Sequence, residues 1–380
     1  MFVEIHTIQN FAPSNLNRDD TGSPKDCEFG GHRRARVSSQ CWKRAVREYF
    51  SQEALLPEAQ RAVRTKKLVG TLAERLVGLD GKRTLEDAVA VGAAAVQALG
   101  VGLDAKSKEE KKTSVLLFLG HDQIDALTGL CQENWDGLLA DTKKKTSALP
   151  KDVISRLKNC LQGSRAVDLA LFGRMIAEDP VQNVDAACQV AHALSTHRVA
   201  PEFDYYTAVD DLGRDDETGA GMVGTQEFNS ACFYRYANID LNQLTTNLQD
   251  DEELALSGVR AFLRSFIMAI PKAKQNSTAA LSLPSYVMIV VRDSNPTSLA
   301  NAFAKPVDGR GHGLVVNSVD ALVDYRNRLE GMYGSGGIRS AVYATTEAAR
   351  LDTPDSNPAV KLQSVEELLA RTMETLGGAR

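Results

Sequence analysis

The chain has 380 residues, 43% of them hydrophobic and 24% charged, with six cysteines and a formal net charge of -5. This is globular composition, enough for several domains or for one domain with large insertions. It excludes a membrane-spanning helix, since no apolar run approaches the ~20 residues one needs, and scattered cysteines without a CxxC exclude a disulfide framework.

The opening segment MFVEIHTIQNF lacks the basic start and apolar stretch of a signal peptide, so a cytoplasmic protein is expected. Residues 2–9 are β-branched and aromatic, with Val3, Ile5 and Thr7 on one face, which predicts a strand. Residues 10–37 are polar and rich in Asn, Gly and Pro, and read as loop. From Ser38 to about residue 51 a helix is expected, capped by Ser38 or Ser39. Its apolar stripe is Trp42, Ala45, Val46, Tyr49 and Phe50. Residues 53–162 read as mostly helical, with a lysine-rich break near 105–113 and a polar segment at 142–145. The apolar run 166–172 is a candidate buried strand, and 185–197 a candidate helix. Two β-type segments within 202–238 flank a Gly- and Asp-rich stretch, the pattern of a β-hairpin with a long tip. A helix near 251–269, a strand at Tyr286–Val291, a helix near 317–330 and a last helix at 363–376 complete the pass. The order fits an α+β core of ferredoxin-like type interrupted by two insertions.

The strongest chemical feature is the segment from Lys25 to Arg47. It holds Lys25, Arg33, Arg34, Arg36, Lys43, Arg44 and Arg47 against only Asp26 and Glu28. On the expected helix, Gln40, Lys43, Arg44 and Arg47 lie opposite the apolar stripe. Three cations so spaced repel one another, and a polyanion would relieve them. Free amides at the helix N-terminus would add a phosphate site. A merely solvated basic face is the alternative. Smaller basic clusters are Lys272, Lys274, Gln275 and Asn276, and then Lys305 with Arg310. In the hairpin, Tyr205 and Tyr206 could stack on bases or simply pack as strand residues.

Catalytic patterns are thin. Asp19/Asp20 and Asp210/Asp211 are paired acids that could hold Mg²⁺. Cys188, His192 and His197 match no zinc spacing. GMYGSGG lacks the Lys-Ser/Thr of a phosphate loop, and neither GxSxG nor HExxH occurs.

Several motifs look familiar together. LNRDD at 16–20, FGGHRRARVSSQ at 29–40 with WKRAVR after it, GRM at 173–175, AVDDL at 208–212, GTQEFNS at 224–230 followed by FYRYANIDL, AKQNS at 273–277 and SLANAF at 298–303 resemble the CasC family, the backbone subunit of type I-E CRISPR Cascade complexes. The matches are colinear from residue 2 to about 340 and poorest in 53–162, 213–223 and past 340.

The resemblance implies a palm of RNA-recognition-motif type (1–52, 163–199 and 231–380 with the C-terminal segment), a helical fingers insertion (53–162) and a β-hairpin thumb (200–230). It implies copies stacked head to tail in a helical filament along one CRISPR RNA, each thumb flipping out one base and leaving the rest to pair with target DNA in antiviral defence. Partners would be the guide RNA, neighbouring copies and other Cascade subunits: the 5′-handle cap, the 3′-hairpin endonuclease subunit and the large and small subunits. No cofactor, membrane or catalytic role is implied. Carried over residue by residue, the RNA-binding positions are Lys25, Ser38, Gln40, Lys43, Arg44, Arg47, Arg174, Met175, Tyr205, Tyr206, Lys274, Gln275 and Lys305. The thumb tip here is acidic, with Asp215, Asp216 and Glu217. The alternative is a metal-dependent RNase using Asp19, Asp20 and Asp26, as in backbone subunits of related CRISPR systems that cut RNA with a loop aspartate.

Overall fold

A computed structural model describes residues 1–107, 111–141, 149–176, 179–208, 222–347 and 359–378. The chain is a mixed α and β protein with a mostly antiparallel sheet, divided into two compact units. The first comprises Met1–Glu53, Gln189–Ile239 and Val259–Arg380; the second comprises Ala54–Cys188 and Asp240–Gly258.

In chain order the elements begin with β1 (Phe2–Ser14), β2 (Asp26–Phe29), β3 (His32–Val37) and α1 (Ser39–Gln52). There follow β4 (Ala62–Thr65), α2 (Leu68–Leu79), α3 (Leu85–Ala98), β5 (Leu117–Gly120), α4 (His121–Glu133), α5 (Trp135–Asp141), α6 (Lys151–Asn159) and α7 (Val167–Phe172). Next come β6 (Cys188–Val190), β7 (Ala193–Ser195), β8 (Glu202–Ala208), β9 (Met222–Asp240), α8 (Leu241–Asn247), α9 (Glu252–Met268) and α10 (Gln275–Thr278). The chain closes with β10 (Tyr286–Arg292), α11 (Leu314–Tyr333), β11 (Ile338–Thr345), β12 (Val360–Lys361) and α12 (Val365–Gly377).

The sheet runs β12-β11-β10-β1-β9-β7-β3-β2, with β6 and β8 each pairing β9 off that path. β1 pairs antiparallel with β10, from Phe2 opposite Arg292 to Ile8 opposite Tyr286. The expected one-sided strand is buried on both faces, from Val3 to Gln9. Both sheet faces are covered. Ile8, Tyr234, Tyr286 and Met288 pack with Val319 and Leu322 of α11, while Phe11, Val37, Ala193 and Phe233 pack with Trp42 of α1. Of the buried polar β1 side chains, Glu4, His6 and Gln9 are bonded, His6 to the Tyr234 hydroxyl and Gln9 to the Ser282 carbonyl, while the Thr7 hydroxyl is not. Glu4 takes the Arg292 guanidinium at 2.9 Å and the Tyr236 hydroxyl at 3.0 Å.

The second unit surrounds its own core, built from Leu68, Leu72 and Leu76 of α2, Val91 and Val96 of α3, Ile124 and Leu127 of α4, and Leu157 of α6. β4 and β5 form a two-stranded antiparallel ribbon beside it. No helix among the described residues is long and apolar enough to cross a membrane.

Three further local expectations fail. The stretch 10–37, read as loop, carries the end of β1 and the strands β2 and β3, whose pairing with each other and with β7 its Asn, Gly and Pro content does not show. The run 166–172 is the helix α7, with all six residues of Val167–Phe172 buried. A short continuous apolar run reads the same for a buried strand and a buried helix. The 185–197 stretch is not a helix but the strands β6 and β7, because β3 and β9 offer open edges that its residues complete, as in the pairs Val37–Ala193 and Leu194–Tyr234. The unit boundary moves accordingly. Residues 163–188 belong to the helical unit, where Ala166 and Leu169 pack on Ala62 and Phe118.

Candidate nucleic-acid interface

The basic helix α1 is positioned from below and capped from above. Trp42, Ala45, Val46 and Phe50 are buried. The Trp42 ring lies under the guanidinium of Arg235, a buried β9 residue. At the N-terminus Ser38 is the cap, its hydroxyl accepting from the Cys41 amide at 3.3 Å. The amide of Ser38 donates to Asn17 Oδ1 at 2.9 Å, and that of Ser39 to His192 Nδ1 at 3.0 Å. The expected set of free amides is therefore absent at these three positions, where loop and strand neighbours already satisfy them.

The outward face carries Gln40, Lys43, Arg44 and Arg47, none of which is buried. It is not purely cationic. Glu48, one residue beyond the segment singled out in the sequence, accepts from Arg44 Nε at 2.7 Å and from Lys272 Nζ at 3.1 Å. Burial disfavours its charge, but the two cations outweigh that and hold its pKa below the ordinary carboxylate value. This acid also draws the Lys272 loop onto the helix, a placement the sequence does not show.

The β2–β3 hairpin sorts the remaining cations. Arg34 is fully buried and donates to the carbonyls of Phe29, Ser195, Phe303 and Ala304. Arg33 pairs with Asp26. Arg36 reaches the Asp26 carbonyl at 3.3 Å. Lys25 is half-buried beside this hairpin, its amide bonded to the Asn17 carbonyl at 2.9 Å. Of the segment's seven cations, Arg34 is thus a fastening of the sheet and no part of the surface.

An open groove of about 800 Å³ runs between the loop Leu16–Gly22, the α1 residues Cys41, Arg44 and Glu48, and Pro271–Ala273. The loop is fixed by Asp19, whose Oδ1 accepts from the Thr21 amide and hydroxyl and the Ser23 amide at 2.8–2.9 Å. Those bonds, the Thr21 hydroxyl first, depress its pKa. Asp26 is engaged by Arg33. Among the described residues no three His, Cys, Asp or Glu side chains gather as metal ligands would. His192 and His197 serve backbone groups instead, His197 Nε2 accepting from the Cys232 amide at 3.3 Å. Asp210, Asp211 and the acidic tip Asp215–Glu217 lie outside the described residues.

The hairpin of β8 and β9 stands exposed along all seven residues of β8. Tyr205 and Tyr206 point to opposite faces. Tyr206 sits across from Gly224, and a Cβ there would lie 2.4 Å from the ring, so glycine makes room for the aromatic. On the same face Gln226 accepts from Lys274 Nζ at 3.4 Å, joining the hairpin base to the 272–276 loop. Lys274 holds a left-handed backbone, φ 55°, rare outside glycine. The Gln275 amide is spent on the Pro271 and Ala280 carbonyls, so its side chain shapes this loop. Lys305 is exposed just after Ala304, a carbonyl partner of Arg34.

Arg174 and Met175 belong to the second unit. Arg174 is buried and donates to the carbonyls of Phe118, Leu161 and Gln182 and to Gln123 Oε1. Burial pushes its pKa down to about 10. It is not a surface cation, and the expectation that it touches RNA is corrected: its guanidinium closes the core of the unit. Met175 is exposed.

Comparison with known proteins adds the context. A family profile of CT1975-like proteins matches residues 3–371. No curated protein sequence gives a significant match. A solved chain from a "CRISPR RNA-guided surveillance complex, pre-nicking" superposes with a TM-score of 0.86 at 35% identity, over 98% of this chain and 99% of that one. A second, from a "CRISPR RNA-guided surveillance complex", gives 0.76 at 32% identity over 98% and 99%.

Proposed function

The chain belongs to the family of CT1975-like Cas proteins, and from this premise we propose that it is a non-catalytic backbone subunit of a type I-E CRISPR RNA-guided surveillance complex, acting in the cytoplasm in antiviral defence. The observation that carries the reading is the outward face of α1, with Gln40, Lys43, Arg44 and Arg47, and the attachment of Lys272 to it through Glu48. Cations on a rigid helix suit phosphates, which any guide sequence presents alike. Sequence reading is then left to pairing between guide and target DNA.

In this reading the first unit is a palm of RNA-recognition-motif type, the second unit corresponds to helical fingers, and the exposed β8–β9 ribbon is the thumb that displaces one base. A two-stranded ribbon with both faces open is marginal alone. It gains from a partner, here the RNA and the next copy in a head-to-tail filament. The groove beside Asp19 is given no catalytic part, because Asp19 is occupied by its own turn and Asp26 by Arg33.

Charge reversal at Lys43 and Arg47 together should abolish RNA co-purification from cells expressing a CRISPR array, with an unchanged unfolding temperature. Normal RNA content in the folded double variant would sink the proposal. Mg²⁺-dependent cleavage of a complementary RNA, lost in Asp20→Ala, would replace it with the nuclease alternative.

A further inference from the structure

We propose that His192 is a contact to the sugar–phosphate backbone of the RNA, donating from Nε2 of a neutral imidazole, a role that rests on the RNA-binding reading above. Strand pairing puts it there. Val37 lies opposite Ala193, so the next step of the β3–β7 ladder brings His192 level with Ser38 at the entrance to α1. The Ser39 amide donates to Nδ1 at 3.0 Å. A ring nitrogen that accepts a hydrogen bond carries no proton, so the neutral ring holds its one N–H at Nε2. His192 is exposed, and the charges of Arg36 and Lys25 act on it. Burial first, and then these two charges, keep its pKa below the ordinary 6.5, so it is uncharged at neutral pH.

The outcome is a fixed, single donor set among Lys25, Arg36 and the Ser38 cap. Lysine and arginine supply charge from flexible stems. A histidine whose tautomer is set by the backbone supplies direction instead. Its partner is an acceptor oxygen of the strand, either on phosphate or at the ribose 2′ position.

The competing role is that His192 merely caps α1, and substitution separates the two. In His192→Asn, the side-chain oxygen can still take the Ser39 amide, but the amide nitrogen falls short of the Nε2 position. The full-length chain is titrated against a fluorescein-labelled single-stranded RNA of mixed sequence at several salt concentrations. His192→Asn should melt with the unaltered protein and bind roughly tenfold more weakly, the worth of one hydrogen bond to a charged group. The slope of log affinity against log salt should stay unchanged, because a neutral donor releases no counterion, whereas Lys43→Glu flattens it. With DNA of the same sequence, a penalty that persists assigns the acceptor to phosphate, and one that vanishes assigns it to the 2′-hydroxyl. If His192→Asn binds as tightly as the unaltered chain while Lys43→Glu with Arg47→Glu does not bind, the residue is only a cap and the inference falls alone. If the unaltered chain fails to bind the RNA, the RNA-binding reading falls and this contact with it.

Discussion

The guanidinium of Arg235 lies 3.5 Å from the centroid of the Trp42 ring, with the Phe266 ring at 4.3 Å. Its hydrogen bonds go to Gln9 Oε1 and the Phe266 carbonyl. A cation in the core is thus held by two aromatic faces and two neutral oxygens. Burial alone lowers its pKa well below the ordinary value. Trp42 therefore fastens α1 to the sheet and also helps solvate a buried charge. Trp42→Ala should cost about 3–5 kcal/mol in denaturant unfolding, as large core truncations do. Trp42→Phe keeps one aromatic face and should cost clearly less. Equal losses for the two variants would remove the charge-solvating role.

Glu48 occupies Arg44 and Lys272, two cations of the face proposed to hold RNA. Glu48→Gln removes that competitor, so RNA should bind several-fold more tightly. The salt slope should steepen by about 0.7 for each added phosphate contact on a single strand. Stability should change by no more than ~1 kcal/mol, since the pairs are partly exposed. Anisotropy titrations across salt concentrations test this, and an unchanged or weaker affinity contradicts it.

Arg174 should behave as a core residue. Arg174→Ala leaves the carbonyls of Leu161 and Gln182 short of a donor, each worth ~1–3 kcal/mol, and should lower the unfolding midpoint markedly. RNA affinity, measured well below that midpoint, should keep its salt slope. Met175→Ala, at an exposed position, should stay within ~0.5 kcal/mol of the unaltered chain. A flattened salt slope in Arg174→Ala would return Arg174 to the RNA surface.

The β2–β3 turn gives a paired test. Gly30 and Gly31 both hold positive φ, at 61° and 75°. A Cβ at Gly30 would lie 1.9 Å from the Ala304 carbonyl oxygen, while one at Gly31 meets nothing within 4 Å. Gly31→Ala should cost only the ~1–2 kcal/mol of left-handed strain. Gly30→Ala should cost more, because backbone must move and the carbonyl it displaces is an Arg34 acceptor. Thermal unfolding of both variants decides, and equal losses would mean the turn yields freely.

Much of this was legible in the sequence. The 3.6-residue stripe from Trp42 to Phe50 located α1, and Ser38 marked its cap, because both signals are local. The hairpin strands are visible as two β-type segments flanking a Gly- and Asp-rich stretch. What failed depended on distant partners. Nothing local to 185–197 says that β3 and β9 lack neighbours there, so its weak helical spacing misleads. Charge counting placed Arg34 with the surface cations, although carbonyls up to 270 positions away claim it. Glu48 escaped notice because its importance lies in Lys272, more than two hundred positions on.

The placement of β1 has a consequence for how the protein is made. The first strand lies between β9 and β10, and its register with β10 cannot close until synthesis has passed Arg292. The tryptophan that seats α1 likewise waits for Arg235 and Phe266. The second unit ends at residue 258, before β10 exists, and its core draws on Leu68–Ile176. The core residues of the helical unit lie at or before Ile176, whereas Ala193 and Phe233, on which Trp42 packs, come later, so that core can form before the sheet under α1 is complete. The sheet that seats the proposed RNA-binding helix is thus completed late in synthesis, although the helix itself is made early.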